Sequence, residues 1–487
     1  MSTAALALLC AALAVAGALA LAALRAAGDR AAPPLPPLAD SELEAAAGIE
    51  EELAALVRHP TVSRYDPALE DPSAFEALAA ELPRLFPRVH AAIGLERVGD
   101  RALLYTWKGE EAALKPVLLN AHFDVVPAED AAEWRHQPFS GDLAEGCVWG
   151  RGTQDIKLTM ASILHAAERL LAAGFKPRRT LYFAFGGDEE VGGLRGAAAI
   201  GELLARRGVR ASFVLDEGGP VADGLFAFAD RPVALVGVAE KGYVDVALEA
   251  AGSGGHASMP PRRTAAGSLA RAVAAVEARR GPARICRSVR ALLQGVSRYS
   301  GFAYRLLFRN LWLTAPLVKA AFSASGSTNS LIRTTAAPTM LQGSPKENVL
   351  ADKARAILNV RILPGDSSAA VLGRLSRAAA RFGATALAAH PAAVVEPSPE
   401  SPAEHEGYRA IRSALGASFP EAGCAPFLLS GGTDTKHYLK VAEAVYRFTP
   451  LRQTSADLAG IHGRDERVEV GNLRRCALFY AALMRSL

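Results

Sequence analysis

Residues 180–193 read TLYFAFGGDEEVGG: an apolar run of strand length, two glycines, three consecutive acids and two more glycines. A strand buried on both faces of a parallel sheet is written as an unbroken apolar run. In open α/β sheets, ligands gather beyond the carboxyl ends of such strands, and Asp188, Glu189 and Glu190 stand at one. Adjacent carboxylates repel and raise one another's pKa unless a cation holds them. The stretch therefore predicts an α/β sheet with a cation at its rim.

The same grammar repeats outward. PVLLNAHFDVV (116–126), TMASILHAAERLLAAGF (159–175), TLYFAFGG, AAAIGELLARRG (197–208) and ASFVLDEGG (211–219) alternate strand and helix, the order of a mainly parallel sheet. Near Ala234 the pattern changes to alternating strands, a helix at 265–280, ARAILNVRILPG (354–365) and a helix at 367–383. That is an α+β unit inserted into the first. The expected organisation is a membrane anchor or signal segment at 1–30, a Pro-rich linker at 31–40, a catalytic domain split between 41–238 and 384–487, and an inserted lid or dimerisation domain at 239–383.

The chain has 487 residues, more than one ordinary core accommodates, and 50% of them are hydrophobic. Its 54 basic and 50 acidic residues leave +4, without a basic run, so nucleic acid is not an expected partner. Five cysteines lack close-paired spacing, which argues against a disulfide scaffold or thiolate metal site. Residues 4–24 carry no charge, close to the ~20 residues that cross a bilayer. The catalytic part is expected outside the cytoplasm, anchored by this segment or secreted after its cleavage. Residues 300–325 are also apolar, but Arg305, Arg309 and Lys319 interrupt them and disfavour a second span. They read either as helices of the inserted unit or as a lipid-facing or acyl-chain-binding surface.

Polar clusters fall at the inferred strand ends: His122 and Asp124 in NAHFDVVP, Asp155 in GRGTQDIK, Glu189 and Glu190 in GGDEEVGG, Asp216 and Glu217 in VLDEGG, and His462 in IHGRDE. On a strand of period two, His122 and Asp124 project to one side, so the carboxylate can orient the imidazole toward a metal. Two imidazoles with several carboxylates suit Zn, with Mn or Co as substitutes. The carboxylates exceed the needs of one tetrahedral ion, so two ions sharing a bridging carboxylate is the economical arrangement. G-x-S-x-G, H-E-x-x-H, G-x-x-x-x-G-K-[ST] and G-x-G-x-x-G are all absent, which removes the main support for serine hydrolase, single-zinc protease and nucleotide-binding readings.

NAHFDVVP, GRGTQDIK, GGDEEVGG, LDEGG, GGHASMP, GGTDTKHY and IHG occur in the order found in the co-catalytic zinc peptidases that include aminoacylase, glutamate carboxypeptidase and carboxypeptidase S. The chain resembles that family from about residue 50 to its end. RFTP (447–450) and SLIRTT (330–335) look most like the branch of carboxypeptidase S and the N-fatty-acyl-amino-acid synthase/hydrolases. The resemblance implies that His122 binds one zinc and His462 the other, that Asp155 bridges them, and that Glu190 and Asp216 complete the shells. Some relatives use the Glu of LDEGG, so Glu217 is the alternative to Asp216. Glu189 is implied as general base and Asp124 as the group orienting His122. His256 is implied to reach the reacting carbonyl oxygen, in some relatives from a neighbouring subunit, with a homodimer formed through the inserted domain. Asn348 and Arg361 match positions that contact a substrate carboxylate. The chain departs from common family residues at Ile156, Gly187 and Ala351, none an expected ligand.

The expected activity is metal-assisted cleavage, or reversible formation, of the amide of N-acyl amino acids, including those with long acyl chains. The alternative is a carboxypeptidase acting on small or blocked peptides. An inactive membrane-tethered binding protein would require a broken ligand set, and every implied ligand and the base are present.

Overall fold

The computed structural model describes residues 3–487; Met1 and Ser2, the start of the expected 1–30 segment, lie outside the described residues. The chain opens with a single long apolar helix, α1 (Thr3–Ala27), followed by an extended stretch at 30–39 where the Pro-rich linker was expected.

Twelve strands build two sheets. They are β1 (Gly94–Val98), β2 (Ala102–Trp107), β3 (Val117–His122), β4 (Leu181–Gly186), β5 (Ala211–Ala222), β6 (Val233–Glu240), β7 (Gly242–Ala251), β8 (Thr335–Gln342), β9 (Lys353–Ile362), β10 (Ala384–Ala388), β11 (Gly423–Leu429) and β12 (Ala442–Gln453). The larger sheet has the order β1-β2-β4-β3-β5-β12-β6-β11. It is parallel through β4-β3-β5-β12 and again at β6-β11, and antiparallel at its β1-β2-β4 edge. β3 is buried at all six positions, as a strand covered on both faces must be. One face packs on α2 (Lys157–Ala172) and the helices Glu406–Ser418 and Val470–Ser486. The other packs on the helix Ala197–Arg206 through Leu118, Ile200, Leu204 and Val214.

The smaller sheet is antiparallel, with order β8-β9-β7-β10. β9 alternates between buried and partly exposed residues, because helices cover one face only. Those helices are α3 (Ala265–Ala278) and α4 (Ser368–Ala380), joined to β7 and β9 by Val244, Leu248, Leu269, Val273, Leu358 and Val371. This sheet extends beyond the expected boundary at 383, because β10 is its edge strand.

The helices Arg287–Ser297, Phe302–Arg309 and Leu311–Phe322, which include much of the 300–325 stretch, do not cover the small sheet. Their Val289, Leu293, Phe308, Leu311 and Val318 pack with Ala239 and Leu428 on the β6-β11 edge of the large sheet. The physical reason is the apolar edge itself: Val233, Leu235 and Ala425 are fully covered only when Leu292 and Val296 lie against them.

Where β12 meets β6, the wholly buried Arg447 pairs with Glu240 at 3.1 Å. Glu240 also accepts from Thr433 Oγ1 (2.7 Å) and Thr435 Oγ1 (2.9 Å), so one ion pair ties both strands to the GGTDT loop. Removing one member of such a pair leaves an uncompensated buried charge. Glu240→Ala should therefore lower the unfolding free energy by about 3–5 kcal/mol in chemical denaturation; an unchanged midpoint and slope would contradict this role.

Candidate active site

At the end of β4 the chain turns sharply, and the three acids of GGDEE part company. Asp188 turns inward: its two oxygens accept the backbone N–H groups of Arg195 (2.7 Å) and Gly196 (2.8 Å), leading into the helix at Ala197. Glu189 and Glu190 lie in a single 3-10 turn that sends them to different partners. Glu189 lies in one group with His122 and Glu217, whose ligand atoms are all within 4.8 Å of one another, and Glu190 lies in another with His122 and Asp155. Gly193 follows with φ of 71°, and a Cβ there would lie 2.0 Å from Asp434 Oδ1. Only glycine allows the buried Asp434 to pack so closely.

His122 ends β3 and is buried. Its Nε2 is 3.1 Å from Asp155 Oδ1 and 3.5 Å from Glu217 Oε1, and its Nδ1 is 3.0 Å from the Asp124 carbonyl and 3.4 Å from Asp124 Oδ1. Asp124 lies past the strand end, so the contact comes from the turn, not from the two-residue strand period expected. Its carboxylate also accepts from Ser63 Oγ (2.6 Å) and from the backbone N–H groups of Glu189 (3.1 Å) and Glu190 (3.2 Å). One buried aspartate thus sets the ring of His122 and the position of both glutamates.

Asp155 lies between two imidazoles: Oδ1 faces His122 Nε2, and Oδ2 is 2.9 Å from His462 Nε2. His462 also approaches Glu190 Oε1 at 3.2 Å. Its backbone is left-handed, with φ of 59°, a region that non-glycine residues enter rarely and often at functional sites.

The support for Asp155 is Glu466, which is fully buried. Its Oε1 accepts from the backbone N–H groups of Gly152 (3.1 Å), Gln154 (2.8 Å) and Asp155 (3.3 Å), and its Oε2 from Arg151 Nη1 (2.6 Å). Arg151 Nη2 in turn donates to the His462 carbonyl (3.0 Å). Glu466 and Arg151 therefore lock the 151–155 loop to the 462–466 loop. Neither residue was among the expected site residues, although Arg151 lies within GRGTQDIK and Glu466 within IHGRDE.

The Asp216–Glu217 pair differs from the assignment that favoured Asp216. Asp216 points inward: Oδ1 accepts from Asn120 Nδ2 (2.8 Å) and the Glu217 N–H (2.9 Å), and Oδ2 is buried without a hydrogen bond among the described residues. Glu217 is the one directed at His122. β5 continues past this point, and successive side chains on a strand face opposite ways, so only one of the two acids can reach the rim.

His256 is exposed on a short strand (Gly255–His256) paired with Val349–Leu350, and it is not part of the His122 cluster. Its Nδ1 accepts the Ser258 N–H (3.1 Å), which leaves the ring proton on Nε2. Asn348 is exposed beside it, its carbonyl accepting from the Ala257 N–H. Arg361 lies on β9, its guanidinium 4.8 Å from the centre of the Tyr243 ring. Among the described residues, no hydrogen bond or ion pair joins these three to the cluster.

Burial pushes the Glu189 carboxyl well above its ordinary range, with the charges of Glu217 and Asp434 adding and that of His122 opposing. Burial, and then the charge of Asp155, push Glu217 up to about 8. Burial would raise Asp155 too, but the two imidazoles outweigh it and hold its carboxyl below the ordinary value. Hydrogen bonds to Asp155 and Glu190 push His462 up to about 10. This is a pocket of negative charge that takes up protons. Divalent cations displace such protons from imidazole and carboxylate ligands. The donors are all nitrogen and oxygen, the set that suits zinc, manganese or cobalt.

An α/β sheet with histidines and acids converging at its strand ends defines a metallohydrolase, and the comparisons give its family. The pattern of Peptidase family M20/M25/M40 matches residues 118–486, so the chain belongs to that family. It is 37% identical over 405 residues to "Probable carboxypeptidase S-like 2" of Dictyostelium discoideum, covering 82% of this chain and 77% of that protein. It is also 37% identical over 435 residues to "N-fatty-acyl-amino acid synthase/hydrolase PM20D1.1" of Danio rerio, covering 88% and 84%. The M20 family metallo-carboxypeptidase Sso-CP2 from Sulfolobus solfataricus shares the fold, with a TM-score of 0.66 at 16% identity over 90% of this chain and 98% of that one. A Bacillus subtilis protein described as a dinuclear metal binding peptidase from the M20 family does so with a TM-score of 0.54 at 15% identity over 90% and 97%. The expected α/β fold with a second, smaller sheet and the expected family are both borne out.

Glu466 reaches Asp155 and His462 only through backbone and Arg151, so its variant tests the support without deleting a ligand. Glu466→Gln should weaken metal affinity by about 10–100-fold in chelator competition, with the folded state retained; wild-type affinity would contradict the role assigned to it.

Proposed function

We propose that the protein is a two-zinc amidohydrolase that cleaves, and in reverse forms, the amide bond of N-acyl amino acids. The observation that carries this reading is the Asp155 carboxylate, whose two oxygens face two different imidazoles. His122 and Glu217 would hold one ion and His462 and Glu190 the other, with Asp155 shared. Glu217 takes the position for which Asp216 was expected. Bound there, the metal pair supplies an activated water and a sink for charge on the carbonyl oxygen.

The chain's own residues do the rest. Glu189, its backbone fixed by Asp124, accepts the proton of the attacking water and passes it to the leaving amine nitrogen as the carbon–nitrogen bond breaks. Positive charge beside it restores the ionised form that this work requires. His256 carries its proton on Nε2 and serves as the donor to the developing oxyanion, presented by the short Gly255–His256 strand of the same chain or of a second copy. Asn348, directly before the strand that pairs with His256, and Arg361 on β9 would receive the substrate carboxylate. A cavity of about 450 Å³ lies beside His462, lined by Val126, Pro127 and Trp134 together with the charged Glu129, Asp130, Arg151 and Arg464, and offers space for a substrate next to the cluster.

Similarity to a protein named N-fatty-acyl-amino acid synthase/hydrolase supports long acyl chains; similarity to one named carboxypeptidase S-like supports the second reading, release of C-terminal residues from small or blocked peptides. Zinc-loaded enzyme assayed in parallel on an N-acetyl amino acid, an N-oleoyl amino acid and a blocked dipeptide separates them. The N-oleoyl substrate should be turned over fastest; equal rates on the two acyl substrates would contradict the acyl preference, and turnover of the dipeptide alone would establish the second reading. Glu189→Gln should keep its metal and lose about 10²–10⁴-fold in turnover. On the ligand itself, Glu217→Gln should lower bound zinc whereas Asp216→Asn should not. The reverse result would return the position to Asp216.

A further inference from the structure

The last turns of α1 are built into the folded body. Ala22 and Ala26 are buried; Asn310 Nδ2 donates to the Ala22 carbonyl (3.0 Å) and Arg305 Nε to the Ala26 carbonyl (2.8 Å). Asp29, just beyond, pairs with Arg309 at 2.8 Å. A cation at a helix carboxyl end is favourable for both its free carbonyls and its dipole. The rest of the helix is different: only 11% of the apolar window Cys10–Ala27 is buried, and Leu6, Leu13, Val15, Leu19 and Leu21 are exposed. From Thr3 to Leu21 the helix spans about 28 Å, close to the ~30 Å hydrocarbon core of a bilayer. An anchor seated in this way has no slack, so the residues around its seat must lie at the membrane surface.

Those residues are apolar. The helix Leu311–Phe322 begins next to Asn310 and exposes Trp312, Leu313, Pro316 and Leu317 along one stripe. Phe302 and Tyr304 on the preceding helix are exposed as well. The Trp312 indole N–H lies 3.3 Å from Asn310 Oδ1, which places it one side chain away from the anchor. Tryptophan with its polar atom satisfied is suited to the interface between acyl chains and water. About 18 Å further, the length of a twelve-residue helix, the stripe ends at a cavity of about 570 Å³ whose wall includes Arg279, Arg280, Arg333, Arg377 and Arg381. Arg280 and Arg333 reach Ser323 directly after the helix. Glu277 is the one acid on that wall, and among the described residues none of these five arginines is paired with a carboxylate. Unpaired arginines at a membrane surface attract anionic headgroups.

We propose that α1 is retained as an anchor and that the Leu311–Phe322 stripe, with the arginine cavity at its far end, docks the catalytic body on the bilayer that α1 enters, the cavity receiving an anionic lipid headgroup. The docking does not depend on which amide the site cuts. It would let apolar substrates pass from the membrane to the body without crossing water.

Trp312 makes this measurable, because Trp107, Trp134 and Trp149 are buried and Trp312 is half exposed. The full chain is reconstituted in vesicles of phosphatidylcholine brominated on its acyl chains, with and without phosphatidylglycerol. Tryptophan emission should be quenched, the loss should vanish in Trp312→Phe, and Leu313→Glu/Leu317→Glu should reduce it. Phosphatidylglycerol should deepen the quenching in wild type and not in Arg279→Glu/Arg377→Glu/Arg381→Glu. The mass of the vesicle-bound chain should include residues through Ala27. Absence of quenching, quenching unchanged in Trp312→Phe, no response to phosphatidylglycerol, or an amino terminus beyond Ala27 would overturn the proposal.

Discussion

One carboxylate between two imidazoles governs the catalytic centre. Asp155 meets His122 through one oxygen and His462 through the other, although the three residues come from a strand end, a loop and a segment more than three hundred residues later. Their convergence depends on Glu466, which accepts the backbone N–H groups of Gly152, Gln154 and Asp155 and, through Arg151, reaches the carbonyl of His462. A buried charge that satisfies several N–H donors at once is costly to displace, so the loops have essentially one arrangement. The rest of the site is arranged around that fixed point.

The parallel sheet explains why the acids accumulate there. β3 and β4 end side by side and β5 passes beside them on its way to Ala222, so His122, the Glu189–Glu190 turn and Glu217 arrive together without any local sequence relation. Such a rim gathers more negative charge than a protein interior tolerates, which is visible in the upward displacement of Glu189, Glu217 and Asp434. Cations relieve that charge and acquire ligands in the same step. One tight turn sends the neighbouring glutamates to different partners: Glu189 to His122 and Glu217, and Glu190 to His462 and Asp155.

Much of this was legible in the letters because motif residues sit where a strand must stop. TLYFAF followed by GGDEE marks a buried strand end, and the strand–helix alternation around it marks the parallel sheet. What was not legible depended on contacts distant in sequence. The choice between Asp216 and Glu217 turns on how far β5 runs and which face each residue takes, and two adjacent acids look alike without the Asn120 amide that claims the first. Ser63 holds Asp124 from 61 positions away, and no spacing announces it. The 300–325 stretch read either as helices of the inserted unit, because it lies between that unit's strands in the chain, or as a lipid-facing or acyl-chain-binding surface; its helices pack on the apolar edge at β6-β11 and not on the second sheet. The edge strand β10 looked like a return to the first unit because nothing in ATALA distinguishes the two sheets.

The site and the proposed docking surface are joined by the same β6-β11 edge: its helices carry the apolar stripe, while Glu240 at its end holds Arg447 and the GGTDT loop. The central claim, however, is the shared Asp155, and anomalous scattering from crystals grown with zinc tests it most directly. The account predicts two zinc peaks flanking the Asp155 carboxylate, one at His122 Nε2 and one at His462 Nε2. A single peak, or a pair in which Asp155 touches only one ion, would contradict it.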